Sequence, residues 1–459
     1  GTLETAFDAG RMGFNPGSLV ADLENSWSFE NFAIPGRDLH LTSSGDLSIQ
    51  GGMDASRIDG SFGFSIPELG QLPQQQIDLA AEVREKNARL ERFQVDTGFG
   101  RIVGDGSINW QEFLSWNLAL TLSDLDPGHF VTEIPGSIQG VLSSSGQINA
   151  GALETELQID QMDGQIRGFP LTGSGNLVYR ENSIAANNIV IRAGDNRLGL
   201  DAVWGSNIDL SWNLLASDLS QLYPGLDGVL EMNGTAAGQS DNPEIRAQIS
   251  ARSVRYLDIS AESLQASISS SGRNTGQTLD LSVSNLGRGE QQLDIQLNML
   301  GELNQHEFAL RVFSETPAED MSVRIAGAAT FDEQGWRSDL NELALDSGFG
   351  DQWTLETAEN PPRLSVARSQ ATISPLCLRN GPASICATEA SFDAGGINLG
   401  VNLNRVQLEM LNEFLPQDVR ISGGLSGDLE LSGPMGELLG NVELQAPEIV
   451  MTITQLQET

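Results

Sequence analysis

The chain has 459 residues, with 62 Asp and Glu against 25 Lys and Arg, a formal net charge of −37 and a single lysine, Lys86. This balance excludes nucleic acid as a partner, because contact with a phosphate backbone needs clustered cations, and here the arginines stand singly among carboxylates. It also disfavours attraction to anionic lipid surfaces, though not contact with neutral acyl chains. No stretch reaches the ~18 consecutive apolar residues of a membrane-spanning helix.

Taken in chain order, the elements read as strands. The opening "GTLETAFDAG" and the closing "MTITQLQET" both look like interior strands, so the chain is expected to be an interior segment of something longer. "GDLSIQG" from Gly45 is a Gly-x-Leu strand that returns as "GVLSSSG" from Gly140, "GVLEMNG" from Gly228 and "GDLELSG" from Gly427, with a weaker copy, "GAATFDE", from Gly327. The starts are separated by 95, 88, 99 and 100 residues, a near-constant step that marks an array. With no linker or low-complexity tract dividing it, the chain is expected to be one continuous repetitive β-structure over 1–459, in quasi-repeats of about 95 residues.

"IDLAAEVREKNARLERF" from Ile77 contains good helix formers, but its continuation "LERFQVDTGFGRIVGDGSI" matches "LNELALDSGFGDQWTLET", which has no helical preference, so a strand is expected. Asp96 and Asp346 open the two Asp-(Thr/Ser)-Gly copies, a pattern shared with aspartic peptidases. Their flanks continue the strand repeat without a bilobal arrangement, which assigns both as turn residues. Period-two alternation is clear at Leu118, Leu120 and Leu122, at Leu279, Leu281 and Val283, and at Leu293, Ile295, Leu297 and Met299. It continues at Leu429 and Leu431, at Val442 and Leu444, and at Ile449, Met451 and Ile453. Ser282, Asp294 and Gln296 are the outward neighbours.

Cys377 and Cys386 flank the turn residues Arg379-Asn380-Gly381-Pro382. A hairpin disulfide fits, and would imply an oxidising compartment such as a periplasm; the alternative is two small buried hydrophobes. Metal binding is disfavoured, because no histidine is near. "RVQLEMLNEFLP", with Leu408, Leu411 and Phe414 at helical spacing, is expected to form a short helical turn before Pro416.

Dozens of short strands with one apolar face each, and no helices to cover that face, must fold the sheet over itself. The sheet could close as a filled β-helix or sandwich, or curl part-way and leave an apolar trough. Scarce aromatics, 6% of residues, lean towards an open interior. Strands recurring every ~12 residues would give about 40 strands and a trough of roughly 150–200 Å.

The cassettes "LDPGHFVTEIPGSIQGVLSSSG", "LYPGLDGVLEMNGTAAGQSDNPEI" and "FLPQDVRISGGLSGDLELSGPMGELLGNVELQAPEI", with the region "WTLETAENPPRLSVARSQATISPLCLRNGPASICAT", resemble the TamB family of the AsmA-like superfamily. The resemblance spans essentially the whole chain. It implies an all-β, elongated, repetitive curled sheet, a β-taco or β-solenoid-like fold, whose long hydrophobic groove conducts phospholipid between the inner and outer membranes. It further implies a periplasmic location as part of an inner-membrane-anchored protein, partnership with the outer-membrane barrel TamA through parts outside this segment, and a role in inserting outer-membrane proteins. The family's N-terminal anchor and C-terminal barrel-meeting domain are not recognised here, which again points to an interior segment.

The expected function is thus a conduit whose groove holds phospholipid acyl chains on Leu118, Leu120, Leu122, Leu279, Leu281, Val283, Leu293, Ile295, Leu297, Leu429, Leu431, Val442 and Leu444. The alternative is a scaffold that pairs an exposed strand edge with unfolded outer-membrane or autotransporter clients. A calcium-binding adhesin is disfavoured, since "GGxGxDx" never occurs. No enzyme is expected: His40, His129 and His306 stand in unrelated cassettes, and no cofactor or metal site is discernible.

Overall fold

A strand whose residues alternate apolar and polar buries one side and wets the other, and a succession of such strands joined by tight turns folds as an antiparallel meander. The computed structural model describes the chain except for residues 1–2, 9–12, 16–17, 34–39, 53–54, 67–74, 273–275, 289–290, 303, 315–320, 347–351, 357–359, 414, 416–418, 435–436 and 454–459; for 3–8, 13–15, 18–22, 31–33, 291, 410–411 and 413 the backbone alone is described. The fold is all-β, a repetitive, curled antiparallel sheet. Among the described residues, helix is limited to three 3-10 turns, Pro127–His129, Leu219–Gln221 and Leu408–Glu413, the last at the expected place. The segment that could be drawn as a helix forms strands Gln75–Arg84 and Asn87–Asp96 around a turn at Glu85 and Lys86.

Two compact units divide the chain, Gly1–Ser240 and Asp241–Thr459. In the first, Leu3–Asp8 and Gly13–Asn15 both pair with Ser18–Ala33, and from there each strand pairs with the next as far as Leu226–Gln239. In the second, the same order runs from Asn242–Tyr256 to Gly335–Asp346. Two rows are then split. Trp353–Leu355 and Arg363–Ala367 both pair with Gly335–Asp346, and Gln370–Ile373 and Leu376–Asn380 both pair with the full-length Ala383–Asp393. Pro361, Pro362 and Pro375, which have no N–H to donate to a ladder, stand at the breaks. Gly396–Gln407, Gly424–Gly433 and Leu439–Gln445 complete the sheet. Met451 and Ile453 belong elsewhere: Val450–Ile453 pairs with Val419–Ser422 in a separate two-stranded ribbon.

The near-constant step of the sequence has a structural unit. The strands that carry the cassettes, His40–Gly52, Gly136–Asn149, Leu226–Gln239, Ser322–Asp332 and Gly424–Gly433, follow one another at intervals of six rows when each pair of half-strands is counted as one row. Six is even, so within a unit the cassette strands run in the same direction. The long connections that precede them, 126–135 and 217–225 in the first unit, therefore fall on one edge of the sheet, and tight turns such as Ala150-Gly151 and Glu181-Asn182 fall on the other.

Cys377 and Cys386 are directly opposed in the ladder and joined by a disulfide, their Cα atoms 4.0 Å apart. The bridge ties a half-strand to the first full-length strand after the split, on the face opposite Leu376 and Leu378. Its loss removes a constraint on a short loop of the unfolded chain, a contribution of about 2–3 kcal/mol. A Cys377→Ser/Cys386→Ser double variant is therefore expected to melt several degrees below the parent, and an unchanged melting temperature would show that the ladder alone holds the half-strand.

Candidate functional site

Leu118, Leu120 and Leu122 are half-buried, while Asn117, Ala119 and Thr121 between them are exposed. Antiparallel pairing carries this parity sideways. Leu122 faces Ile102 and Gly140, Leu120 faces Gly104 and Leu142, and Leu118 faces Gly106 and Ser144. One row of directly opposed residues runs through Trp27, Gly45, Phe62, Ile77, Val95, Ile102, Leu122, Gly140, Met162, Gly173, Ile191, Leu198, Leu214 and Met232 without a charged residue. At ~4.8 Å per strand this row is about 60 Å long. A parallel row through Ile49, Ile58, Ala81, Leu90, Gly106, Leu118, Ser144, Leu157, Leu177, Ala186, Ala202, Leu210 and Ala236 is likewise uncharged.

The second unit repeats the arrangement. Leu279, Leu281 and Val283 face Met299, Leu297 and Ile295, which face Phe308, Leu310 and Val312, and these face Gly327, Ile325 and Val323. Leu293 sits past a bulge, opposite Leu286, and is exposed. Further along, Val401 faces Leu429 and Leu429 faces Val442; Leu399 faces Leu431; Leu444 faces Gly427. The expected residues of this unit therefore lie in apolar rows, with Val442 and Leu444 exposed. The other face is polar: Ser282 opposes Gln296, Asn298 donates to Asp280 at 2.6 Å, and Arg324 pairs with Glu342 at 3.2 Å. Two stretches of the apolar face are packed cores, one around Trp353, Leu378, Ala383 and Val406 and one around Phe308, Ala329 and Leu340.

The cassette has period two, so its first, third, fifth and seventh residues share the apolar face. The glycines there make room for large neighbours. Gly45 is opposed by Trp27 and Phe62, whose rings meet at 5.7 Å, and a Cβ on it would lie 2.2 Å from Phe62 Cβ. Trp116 opposes Gly146, where a Cβ would lie 2.3 Å from the indole. The indole N–H of Trp27 donates to Ser43 and that of Trp116 to Ser144, each at 3.2 Å. Trp212 opposes Gly234, but Met232 stands where Ser144 does, and the buried Trp212 N–H has no partner. "LSWNL" occurs at both 114–118 and 210–214, a signal that reading for the Gly-x-Leu pattern alone passes over. A Gly146→Val variant is expected to lose about 1–3 kcal/mol through overpacking against Trp116, measurable by chemical denaturation; an unchanged midpoint would mean that the indole moves freely.

The two edges of this face differ in the first unit. At the long-connection edge, the connections fold over the apolar face: Leu171, Ala216 and Leu219 are 3%, 0% and 7% exposed. Asp126 accepts from the backbone N–H groups of Gly128 and Gly136 at 2.8 and 2.9 Å, Arg167 donates to Ser220 O at 2.8 Å, and Gln221 donates to Asp195 and Asp218 at 2.8 and 2.9 Å. At the tight-turn edge the face is uncovered, with Leu114, Ile148, Leu153, Ile184 and Trp204 at 39%, 38%, 39%, 51% and 60%.

Among the described residues, those with chemical potential do not converge. Asp96 is the last residue of its strand rather than a turn residue, opposite Arg101, with which it is ion-paired at 3.0 Å, beside a turn in which the Thr97 N–H and hydroxyl both donate to Gly100 O. Asp346 ends a strand, and residues 347–350 of the second copy lie outside the described residues. His129 stacks on Phe99 at 4.9 Å, and His306 is buried and accepts from the Trp336 indole at 3.0 Å. No group of three or more His, Cys, Asp or Glu among the described residues is arranged to hold a metal ion. The backbone donors of Gly136 and then Gly128 hold the Asp126 carboxyl below the usual carboxylate range. A depressed pKa contributes stability that is present above the ordinary carboxylate value and lost as pH falls through the depressed one. Asp126→Ala is therefore expected to melt below the parent at neutral pH, with the difference closing as pH falls below ~4; a pH-independent difference would remove the carboxylate from the account.

Comparison with known proteins gives one family. The description "TamB, N-terminal domain" matches residues 30–459. The translocation and assembly module subunit TamB of Haemophilus influenzae is 20% identical over 378 residues, which cover 80% of this chain and 28% of that protein. The chain thus spans about 28% of the length of that relative. No helix among the described residues is long and apolar enough to cross a membrane. With a family match over all but its first residues, the chain belongs to the TamB family, in the part described as its N-terminal domain.

Proposed function

We propose that the chain is a segment of a periplasmic bridge that moves phospholipids between the inner and outer membranes, their acyl chains lying on the uncharged rows of the sheet. The segment works within a translocation and assembly module, and contact with the outer-membrane barrel TamA is made by parts outside it. Exposing an acyl chain costs about 0.8 kcal/mol per CH2, so a two-chain phospholipid with roughly 30 methylenes faces on the order of 20 kcal/mol or more in water. A continuous apolar path lowers that barrier, and a break of even one charged row would restore part of it.

The observation that carries the reading is the row from Trp27 to Met232, fourteen strands deep and uncharged, backed by a polar face. Three further features support it. Most of its members are half-buried rather than sealed, and the tight-turn edge leaves the face accessible. The accessible surface, 28891 Å2, is also well above the roughly 20,000 Å2 of two compact globules of half this mass.

Site-specific photocrosslinking in cells with labelled phospholipid tests the proposal, with probes placed in turn at Leu120, Thr121, Leu122, Leu281, Ser282 and Val283. Lipid adducts are expected at the leucines and Val283 and not at Thr121 or Ser282. Polypeptide adducts at the polar positions with no lipid at any position would replace the conduit by a scaffold for outer-membrane protein clients.

A further inference from the structure

The six-row period is written into more than the cassettes. Strands Asn87–Asp96, Ser183–Ala193 and Gln277–Arg288 stand six apart in chain order, and each carries a bulge towards its successor, at Leu90/Phe93, Ala186/Ile189 and Val283/Leu286. The last two bulges are built alike. Asn188 and Asn285 both have φ 52° and donate their backbone N–H to an aspartate of the next strand, Asp201 and Asp294, each at 2.7 Å. The tight turns at Arg167 and Leu257 follow the cassette strands Gly136–Asn149 and Leu226–Gln239 at the same remove of one strand, with φ 54° and 55°.

The register at the entry to two of the cassettes, those from Gly140 and Gly228, is also the same. Trp116 faces Gly146 and Trp212 faces Gly234, so the strand before "GVLSSSG" and the strand before "GVLEMNG" meet their cassettes at equivalent positions. The connections between them, 126–135 and 217–225, each carry near their start an aspartate that caps a 3-10 turn, Asp126 on Gly128 and Asp218 on Ser220. Both end in Pro-Gly, Pro135-Gly136 and Pro224-Gly225.

We infer that the six-strand unit is the quantum in which this protein sets its length. Whole units can be removed or added because Gly136–Asn149 and Leu226–Gln239 meet the strands that precede them in the same direction and, from the third to the seventh cassette residue, in the same register. The apolar rows then change in steps of about 29 Å per unit. Pieces smaller than a unit do not fit. Removing a single hairpin keeps strand direction, but it sets Ser183–Ala193, bulged at Ala186/Ile189, against a cassette whose own register shift lies at Val141/Leu142, and deletes the Arg167 N–H that Pro135 O accepts at 2.7 Å. The inference concerns construction and holds whatever the rows carry.

Two deletions of the 459-residue chain test it. The first removes Gly136 to Pro224, one unit, joining Pro135 to Gly225; the second removes Ala152 to Asn182, one hairpin, joining Gly151 to Ser183. The unit deletion is expected to keep a β-sheet circular dichroism spectrum and a single cooperative melt within about 5 °C of the parent. With Asn117→Cys and Asn233→Cys added, it is expected to form a crosslink across the new pair, which the intact chain with the same two cysteines does not form, because there Asn117 faces Ser145 and Asn233 faces Asn213. The hairpin deletion is expected to lose the cooperative melt or to lower its midpoint by well over that margin. The inference fails if the unit deletion does not fold, if it folds without the 117–233 crosslink, or if the hairpin deletion melts as the parent does.

Discussion

Antiparallel pairing transmits side-chain parity from one strand to the next, and the rest of this structure depends on that. Directly opposed residues point to the same face, so one strand with leucines at every second position fixes the side on which its neighbour must place its own. A slip of one residue at any ladder would turn the following strands inside out. The uncharged row from Trp27 to Met232 is the cumulative result of thirteen correct registers. Where a strand has an odd residue too many, a bulge absorbs it, commonly at a positive-φ residue such as Asp124, Asn188 or Asn285, and the parity resumes beyond.

Given that constraint, the unusual composition has a physical meaning. The acidic residues belong to the polar face and the turns, where ion pairs such as Arg57 with Asp59 and Glu91 are exposed and contribute little to stability. Their larger effect is to keep one side of a wide sheet wet and to discourage sheet-on-sheet stacking. Glycines within the strands of the apolar face let indole and leucine side chains lie flat across a neighbouring strand, as Trp116 does over Gly146 and Leu120 over Gly104. The apolar face is thus smooth as well as uncharged. Packed cores appear where the rows are split and half-strands need an additional hold, around Trp353 and Leu378, and there the disulfide adds a covalent tie on the other face.

Local parity was legible in the sequence because it is a property of single strands. Leu118, Leu120 and Leu122, or Leu279, Leu281 and Val283, can be assigned to one face from alternation alone, and the Gly-x-Leu copies announce an array. What alternation cannot convey is which strand pairs with which. The ~95-residue step was visible, but its meaning as six rows depends on counting Trp353–Leu355 with Arg363–Ala367, and Gln370–Ile373 with Leu376–Asn380, as single rows. The pairing of Val450–Ile453 with Val419–Ser422 is likewise a long-range choice, invisible in a strand that alternates like any other. Leu293 shares its strand's parity with Ile295, yet the bulge at Val283/Leu286 changes what stands opposite it. The tryptophan-over-glycine contacts join residues 18 to 30 positions apart, and only the "LSWNL" repeat hinted at them.

The central claim is that acyl chains occupy the uncharged face, and the tryptophans of that face report on it directly. Trp27, Trp116 and Trp212 lie in the apolar rows of the first unit and are half-buried. The decisive measurement is the fluorescence of the purified chain, with its four other tryptophans replaced by phenylalanine, during titration with phospholipid brominated along the acyl chain. Acyl chains on these rows would give saturable quenching that unbrominated phospholipid reverses by competition, and none from a soluble, uncharged quencher of similar size once lipid is bound. Quenching by the soluble agent alone, with no response to brominated acyl chains, would mean that the rows face water and that this face holds no lipid.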